Sequence, residues 1–295
     1  MSTTVLLVGH GSRQVEGNNE ILRFATNWQK LHPDWNITAC FIEHGEVSMD
    51  MGLDRSAAHG GIVTVVPLIL NAAGHVKMDI PQAIDAARER HSVVEFVCTP
   101  PLGMGREIHA ILRHRIDHLL RDMATPDPRT TGIILLGRGS SDAGANGEIA
   151  KMARWIFEDM QHDLVDIAFT GITMPRLETV VQRQVKLGMT QIVIQPVYLF
   201  TGVLIERIQQ QVERLRLTYP HIAFALGSYF GFDQGIYKLL DSRVQNFGAQ
   251  TSTLDCDGCQ YRLAAAKDHH HNHDHAHGHV HNHGHDHEHH HARSC

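Results

Sequence analysis

The chain has few cysteines, no long hydrophobic run and no basic cluster, and each of these absences excludes a class of protein. Five cysteines in 295 residues are too few for a disulfide framework, which favours a reducing compartment. No apolar stretch approaches the ~18 to 20 residues that span a bilayer, and the N-terminus carries no leader pattern, so we expect a soluble, cytoplasmic protein. Lys and Arg number 26 against 32 Asp and Glu, without a basic run, which argues against a nucleic-acid partner. A phosphate-binding loop with Walker spacing is also missing.

The first half of the chain is repeated in the second half. The segment Val5-Leu-Leu-Val-Gly-His-Gly-Ser-Arg13 corresponds to Ile133-Ile-Leu-Leu-Gly-Arg-Gly-Ser-Ser141, an offset of 128 residues. Further matching positions follow in the same order: Phe41 with Phe169, Pro67 with Pro196, Gly103 with Gly231 and Arg115 with Arg243. We therefore predict two similar lobes, residues 1–124 and 130–248, followed by a tail over residues 249–295.

Short runs rich in Val, Ile and Leu alternate with longer amphipathic stretches in both halves. Each half has four such runs, at 4–8, 37–42, 62–70 and 93–97 and again at 132–136, 165–169, 191–199 and 222–226. Runs that are apolar on both faces are typical of parallel strands covered by helices. The pattern predicts an α/β fold in which each lobe is a four-stranded parallel sheet flanked by helices.

Three polar residues follow predicted strands of the first half: His10, Glu43 and His75. In an open parallel sheet the carboxyl ends of the strands form the ligand crevice. Two imidazoles and a carboxylate suit a divalent first-row ion such as Co, Ni, Fe or Zn and leave coordination positions open for chemistry. Imidazole also accepts a proton near neutral pH. Taken singly, each histidine is explained equally well as a loop cap, so the prediction depends on the three together.

The second half has Arg138, Gly171 and Leu204 at the corresponding positions. Glycine, proline and core positions persist in that half, while all three polar residues are lost. A residue needed only for folding should have kept a similar counterpart in both halves. The comparison favours a reactive role for the trio in the first lobe.

Motifs of the first half resemble those of the sirohydrochlorin chelatases. They are the segment 6–13, the strand end at 41–43, the run Pro67-Leu-Ile-Leu-Asn-Ala-Ala-Gly-His75 continuing to Asp79-Ile-Pro81, and Pro101-Leu-Gly103. The resemblance extends from residue 1 to about residue 262 and is greatest to the long cobaltochelatase form of anaerobic cobalamin biosynthesis. It implies ATP-independent insertion of cobalt(II) into the tetrapyrrole sirohydrochlorin, held between two lobes, with iron or nickel as the alternative metals.

The resemblance also implies roles for individual residues. His10 and His75 bind the incoming metal and accept the two pyrrole protons, with Glu43 assisting, since the ring nitrogens must lose protons as the metal loses its ligands. Sirohydrochlorin is a polycarboxylate, so we expect cationic side chains near strand ends to bind its rim. The candidates are Arg13, Lys77, Arg138 and Arg176. Arg138 ranks first because it replaces a histidine within a preserved glycine loop; for each of the four, a solvated surface charge is the alternative.

The C-terminal tail carries two further metal-binding patterns. Cys256-Asp-Gly-Cys259 resembles the C-x-x-C segment associated with an iron–sulfur cluster in the long chelatases; two cysteines do not complete a four-thiolate site, and a thiol pair that binds zinc or oxidises is the alternative. Further on, 14 of the 25 histidines lie within residues 268–292. Twelve of these occupy every odd position from 269 to 291: His269, His271, His273, His275, His277, His279, His281, His283, His285, His287, His289 and His291. Spacers such as Asp, Asn and Gly favour a flexible metal reservoir over an expression tag.

Functions from other classes stay open. A metal-binding or delivery protein without catalysis, such as a two-lobed zinc or manganese receptor, would also combine α/β lobes with histidine-rich stretches, although such receptors are secreted. A phosphotransfer enzyme that uses His10 as its nucleophile would have an arginine before the histidine, where Gly9 stands. The sequence does not distinguish a monomer from a homodimer.

Overall fold

Strands and helices alternate along the chain. The computed structural model describes residues 3–71, 76–123 and 126–247, without the side chains of residues 76, 77 and 247. The first round is β1 (Thr3–Gly9), α1 (Val15–Leu31), β2 (Trp35–Phe41), α2 (Met49–Ala57), β3 (Ile62–Pro67), α3 (Val76–Arg90), β4 (Glu95–Cys98) and α4 (Arg106–Asp122). The second is β5 (Thr131–Gly137), α5 (Ala143–Met160), β6 (Val165–Phe169), α6 (Leu177–Lys186), β7 (Gln191–Pro196), α7 (Val203–Thr218), β8 (Ala223–Leu226) and α8 (Gln234–Phe247).

The strands form two four-stranded parallel sheets with the same strand order. One sheet runs β2-β1-β3-β4 and the other β6-β5-β7-β8. The registers also correspond, because Val8 pairs with Pro67 in the first sheet as Leu136 pairs with Pro196 in the second. The predicted fold class, two similar α/β lobes built on parallel sheets, is confirmed.

Two central strands end earlier than the apolar runs predict. β3 ends at Pro67 and β7 at Pro196, whereas the runs continue to Leu70 and Leu199. Proline has no N–H to donate to a neighbouring strand, which favours the end of a strand at that position. The apolar residues that follow each proline leave the sheet and become part of the loops at its carboxyl edge.

Short polar side chains mark the start of some helices. The Ser48 hydroxyl accepts a hydrogen bond from Met51 N at the start of α2, and the Asp142 carboxylate accepts one from Gly144 N at the start of α5. Both satisfy backbone donors that have no partner within the first turn. Within the described ranges, every helix falls short of the combined length and apolar character that crossing a bilayer requires.

One hydrophobic core is shared by the two lobes. It combines side chains of α1, α4, α5 and α8, among them Phe24, Leu112, Ile156 and Leu240, all completely buried. The rings of Phe24 and Tyr237 stack across the lobe boundary with centroids 4.2 Å apart. Smaller clusters cover the outer face of each sheet. Because burying a large apolar side chain contributes about 1.5 to 3 kcal/mol, this shared core holds the lobes together.

The contact between the lobes follows the internal repeat. Arg115 of the first lobe donates through Nη2 to the carbonyl of Phe230 at 2.8 Å. Arg243, its counterpart in the second lobe, donates through Nη2 to the carbonyl of Leu102 at 3.1 Å. Leu102 and Phe230 are themselves counterparts at the same offset. The two halves therefore meet through reciprocal contacts, as the subunits of a two-fold dimer do.

Candidate active site

A cleft of about 670 Å³ opens where the carboxyl ends of both sheets meet. In the first lobe its lining includes residues 10–13, Glu43, His44 and residues 68–71; in the second it includes residues 138–140 and 197–205. These segments follow β1, β2 and β3 and their counterparts β5 and β7. We call this space the interlobe cleft. It lies at the strand ends where the sequence predicts a ligand crevice.

His10 and Glu43 meet on the first-lobe wall of the interlobe cleft. The Nδ1 atom of His10 lies 3.3 Å from Oε1 of Glu43, and their side chains are 31% and 42% exposed. Their backbones are joined as well, since Glu43 N donates to the carbonyl of His10 at 3.0 Å. The pair is thus held side by side at the ends of β1 and β2, within reach of a ligand in the cleft.

Gly11 makes this close approach of the two loops possible. Its φ of +91° lies in the region that favours glycine, and a Cβ atom at this position would lie 1.6 Å from the carbonyl oxygen of Glu43. The counterpart Gly139 has a φ of +86°, and a Cβ there would lie 2.2 Å from the carbonyl oxygen of Gly171. Both lobes therefore keep the same tight loop, although only the first keeps the histidine and the carboxylate.

His44 is part of the first-lobe wall and Asn18 supports that wall from behind, and sequence reasoning missed both. The Asn18 amide accepts from Ser12 N at 2.8 Å and donates to the carbonyls of Ser12 and His44 at 2.9 and 2.8 Å. His44 has a φ of +52°, and its Nε2 lies 3.6 Å from Oε2 of Glu43. Asn18 therefore ties the loops after β1 and β2 together, and His44 adds a second imidazole beside the carboxylate.

The sequence repeat could have identified Asn18 but not His44. Asn18 recurs as Asn146, which makes the same pair of bonds to Ser140 at 2.9 and 2.8 Å, so the repeat itself could have identified it. The counterpart of His44 is Ile172, which keeps the left-handed backbone with a φ of +63° but has no titratable or metal-binding group. Left-handed backbone is uncommon for a β-branched residue. The turn is thus preserved in both lobes, and nothing in the repeat pointed to the imidazole.

The third predicted metal ligand, His75, lies outside the described residues. Within residues 3–71, 76–123 and 126–247, no three His, Cys, Asp or Glu side chains converge as a group able to hold a metal ion. The described part of the chain therefore brings together His10 and Glu43, and His75 as a ligand stays a prediction.

The second-lobe wall is built on the same frame with different side chains. Gly171 N donates to the carbonyl of Arg138 at 3.0 Å, as Glu43 N does to His10. Near Arg138, the hydroxyls of Tyr198 and Thr170 are 2.7 Å apart. Burial raises the pKa of Tyr198 to about 12, against the opposing effects of the Thr170 bond and the nearby cations Arg138 and Arg207. The phenol is therefore neutral at physiological pH, and the charge on this wall is positive.

Arg13 and Arg138 both line the interlobe cleft. Among the described residues neither guanidinium has a carboxylate within ion-pair distance. Many other arginines of the chain are paired, as Arg115 is with Asp233 at 3.2 Å. Two cations without carboxylate partners at the rim of one cleft favour an anionic ligand.

The profile of the CbiX family matches the chain twice, over residues 4–119 and residues 132–247. Together these ranges cover most of the sequence and coincide with the two sheets. The chain belongs to the CbiX family.

Relatives of this CbiX chain include enzymes named for two metals. It is 39% identical over 274 residues to a sirohydrochlorin cobaltochelatase of Priestia megaterium, covering 90% of this chain and 88% of the relative. It is 30% identical over 271 residues to a sirohydrochlorin ferrochelatase of Bacillus subtilis, covering 90% of this chain and all of the relative. The resemblance to sirohydrochlorin chelatases that the motifs predict is confirmed.

Solved structures agree with the CbiX assignment. SirB from Bacillus subtilis with Fe3+ superimposes with a TM-score of 0.72 at 28% identity, covering 84% of this chain and 96% of SirB. The sirohydrochlorin chelatase SirB of Bacillus subtilis subspecies spizizenii in complex with cobalt gives a TM-score of 0.69 at 25% identity, covering 85% of this chain and 97% of that structure.

The other predicted site residues of this CbiX chain do not line the cleft or fall outside the description. Arg176 is the N-terminal cap of α6 and bridges back to Phe169. Its Nη1 lies 3.9 Å from the position of a Cβ on Gly171, the counterpart of Glu43, but the residue is not part of the cleft lining. Lys77 belongs to the first turn of α3, and its side chain is not described. Cys256, Cys259 and the tail histidines lie beyond the described residues.

Proposed function

We propose that this chain inserts cobalt(II) into sirohydrochlorin and that it does so without ATP; its Priestia megaterium relative is named a sirohydrochlorin cobaltochelatase. The observation that carries the proposal is the asymmetry of the interlobe cleft. One wall presents the His10–Glu43 pair, and the other presents Arg138 on an otherwise equivalent frame. Such a cleft suits a flat polyanionic ring that receives a cation from one side.

In the proposed reaction, His10 and His75 bind the metal as neutral imidazoles. Nδ1 of His10 faces the Glu43 carboxylate at 3.3 Å, and a partner of this kind orients the ring of a metal-binding histidine. As the ring nitrogens bond to cobalt, their two N–H protons pass to the imidazoles that release the metal. The Glu43 carboxylate stabilises the resulting cationic ring of His10 electrostatically, so metal release and proton uptake occur at one place.

Cationic residues hold the carboxylates of the substrate in this proposal. Among the described residues, Arg13 and Arg138 line the cleft, one from each lobe, so in this proposal they contact opposite edges of the ring. Lys77 and Arg176 were predicted for the same role, and both stay predictions. Guanidinium–carboxylate bonds are geometrically specific because two parallel N–H groups match two oxygens.

The ligand types do not determine which metal is inserted, since imidazole suits cobalt, nickel and iron alike. We propose cobalt because the relative with 39% identity is a cobaltochelatase, while relatives at 28% and 30% identity are named for iron. The test mixes the purified full-length protein with metal-free sirohydrochlorin and Co(II), Ni(II) or Fe(II), without ATP, and follows ring absorbance. Cobalt should give the highest kcat/KM. Tight metal binding without any change in ring absorbance would instead indicate a delivery protein.

We also propose that the histidine-rich tail raises the metal concentration near the cleft, because a tether keeps bound ions close. A chain that ends after Arg262 should turn over normally at saturating cobalt and slowly when cobalt is scarce. Complete loss of activity with abundant cobalt would contradict a reservoir. An iron–sulfur cluster at Cys256 and Cys259 stays a separate prediction, tested by iron and sulfide analysis of the anaerobically purified protein beside a Cys256→Ser variant.

A further inference from the structure

Glu20 is a buried carboxylate that joins the two lobes. It belongs to α1 and is only 6% exposed. One oxygen accepts a hydrogen bond from Thr201 N at 2.8 Å, and the other accepts one from the Tyr229 hydroxyl at 2.7 Å. Both donors belong to the second lobe. The mechanism proposed above makes no use of this group.

The contact connects the two walls of the interlobe cleft through one helix turn. Thr201 lies within the segment 197–205 that lines the second-lobe wall. Asn18, two residues before Glu20, ties together the loops that carry His10 and Glu43 on the first-lobe wall. Because an α-helix has a fixed rise of about 1.5 Å per residue, the first turns of α1 act as a rigid spacer between the walls.

Glu20 breaks the reciprocal pattern of the lobe interface. Arg115 and Arg243 make equivalent contacts in opposite directions. The counterpart of Glu20 is Glu148, whose carboxylate is 38% exposed and pairs with Lys151 of its own helix. The repeat therefore does not account for the Glu20 contact. It is a feature of the first lobe, the lobe that carries the histidine and carboxylate.

The hydrogen bonds that Glu20 accepts are costly to break. Charged acceptors make hydrogen bonds about twice as strong as neutral ones, and a buried donor left without a partner carries a desolvation penalty. Burial, together with the neighbouring carboxylate, raises the pKa of Tyr229, so its phenol keeps the proton that it donates. Removing the carboxylate leaves two partly buried donors, Thr201 N and the Tyr229 hydroxyl, to find other partners, and it leaves Arg23, now 3.7 Å from Oε1 of Glu20, to Glu16 alone.

We infer that Glu20 is a positioning residue for tetrapyrrole binding: it holds the Thr201 segment against α1 and thereby sets the distance between the two walls of the interlobe cleft. The inference rests on the proposed function for the nature of the substrate. Glu20 acts through Thr201 and takes no part in metal binding by His10.

The test uses full-length Glu20→Ala and Glu20→Gln, with Glu16→Ala as a matched control. Glu16 lies on the same helix and shares the Arg23 guanidinium with Glu20, but its carboxylate is exposed and, among the described residues, bonds to no part of the second lobe. Tyr229→Phe removes one donor without removing the ring, and it carries the test alone if Glu20→Ala does not fold by circular dichroism. The readouts are kcat and KM for metal-free sirohydrochlorin at saturating cobalt, KM for cobalt, and the Kd of metal-free sirohydrochlorin from its fluorescence.

Glu20→Ala should raise KM and Kd for sirohydrochlorin about 10-fold, the factor expected for one charge-assisted bond, with kcat and the KM for cobalt within about twofold. Glu20→Gln should restore most of the loss, because the amide still accepts one bond and Tyr229 can rotate its hydroxyl to accept the other. Tyr229→Phe should have a smaller effect that disappears in the Glu20→Ala background.

An equal KM for sirohydrochlorin in Glu20→Ala and Glu16→Ala would overturn the inference, as would a parallel fall of kcat or weaker cobalt binding. Additive effects of Glu20→Ala and Tyr229→Phe would do the same. The Kd readout needs no turnover. If the unaltered chain binds sirohydrochlorin without inserting metal, the proposed function fails while the Kd series still decides the role of Glu20.

Discussion

The variants Gly11→Ala and Gly139→Ala distinguish an effect on stability from an effect on the reaction. At Gly11 the new Cβ would lie 1.6 Å from the Glu43 carbonyl oxygen, and ordinary contact begins at 3.4 Å, so the loops must part by about 1.8 Å. At Gly139 the Cβ would lie 2.2 Å from the Gly171 carbonyl oxygen, and the same reasoning gives about 1.2 Å. Both positions have positive φ, so both substitutions are strained.

The expected loss of stability is similar for the two variants. A side chain at positive φ costs about 1 to 2 kcal/mol and local overpacking about 1 to 3 kcal/mol, so each variant should lose about 2 to 5 kcal/mol of the free energy of unfolding. That loss leaves many domains folded at 25 °C. Urea unfolding followed by circular dichroism measures it, and identifies a temperature at which both variants are native.

The expected loss of activity differs because only one of the loops carries the reactive pair. Gly11→Ala moves Glu43 away from His10, and a misplacement of about 1 Å at a reacting group can cost about 100-fold in rate. We expect kcat for cobalt insertion to fall by about that factor. Gly139→Ala should leave kcat within about threefold and raise KM for sirohydrochlorin instead, because Arg138 is displaced. Equal kcat in the two variants, both folded, would refute the assignment of the reaction to the first lobe.

Three further predictions concern single side chains. His10→Ala should abolish cobalt insertion while changing the free energy of unfolding by less than about 1 kcal/mol, as for a surface substitution; a collapsed fold in urea titration would indicate a structural histidine. Arg138→Gln should raise KM for sirohydrochlorin with little change in kcat, whereas Arg138→His should create no second metal site, because Gly171 and Leu204 supply no ligands; extra bound cobalt by calorimetry would contradict this. Burial raises the pKa of Tyr198 from 10.0 to about 12, so the folded chain keeps this proton to a higher pH than the unfolded chain does. Its contribution to the free energy of unfolding is therefore present below pH 10 and is lost between about pH 10 and 12. Tyr198→Phe should flatten that part of the pH–stability curve, and an unchanged slope would exclude the tyrosine as its source.

The fold was predictable because its strands are apolar on both faces and occur twice. The bounds of β6, Val165–Phe169, agree with the predicted run at 165–169. β3 and β7 were predicted too long because the chain stays apolar beyond the last paired residue in each. Apolar character signals burial, and a loop that lines a cleft between lobes is as apolar as a strand.

The candidate site was predictable only in part. His10 and Glu43 could be found because each follows a strand and the repeat lacks both. His44 could not, since its counterpart Ile172 keeps the turn without the chemistry. Arg176 stays a prediction: it follows β6 closely, but as the N-terminal cap of α6 it bridges back to Phe169 and is not among the described residues that line the cleft. Position after a strand determines nearness to the edge of the sheet, not the direction of the side chain.

The sequence by itself determined the two parallel sheets, the order of their strands along the chain, the glycine loops after β1 and β5, and the loss of the reactive residues from the second lobe. These features are local, or they recur at a constant offset, so a periodic pattern carries them. Only the tertiary structure decided that Asn18 joins two loops, that Arg13 and Arg138 share one cleft, and that Glu20 accepts from a tyrosine 209 residues further along the chain. Such contacts depend on how two lobes pack through a shared core, and packing between distant segments leaves no periodic trace in the residues that make it.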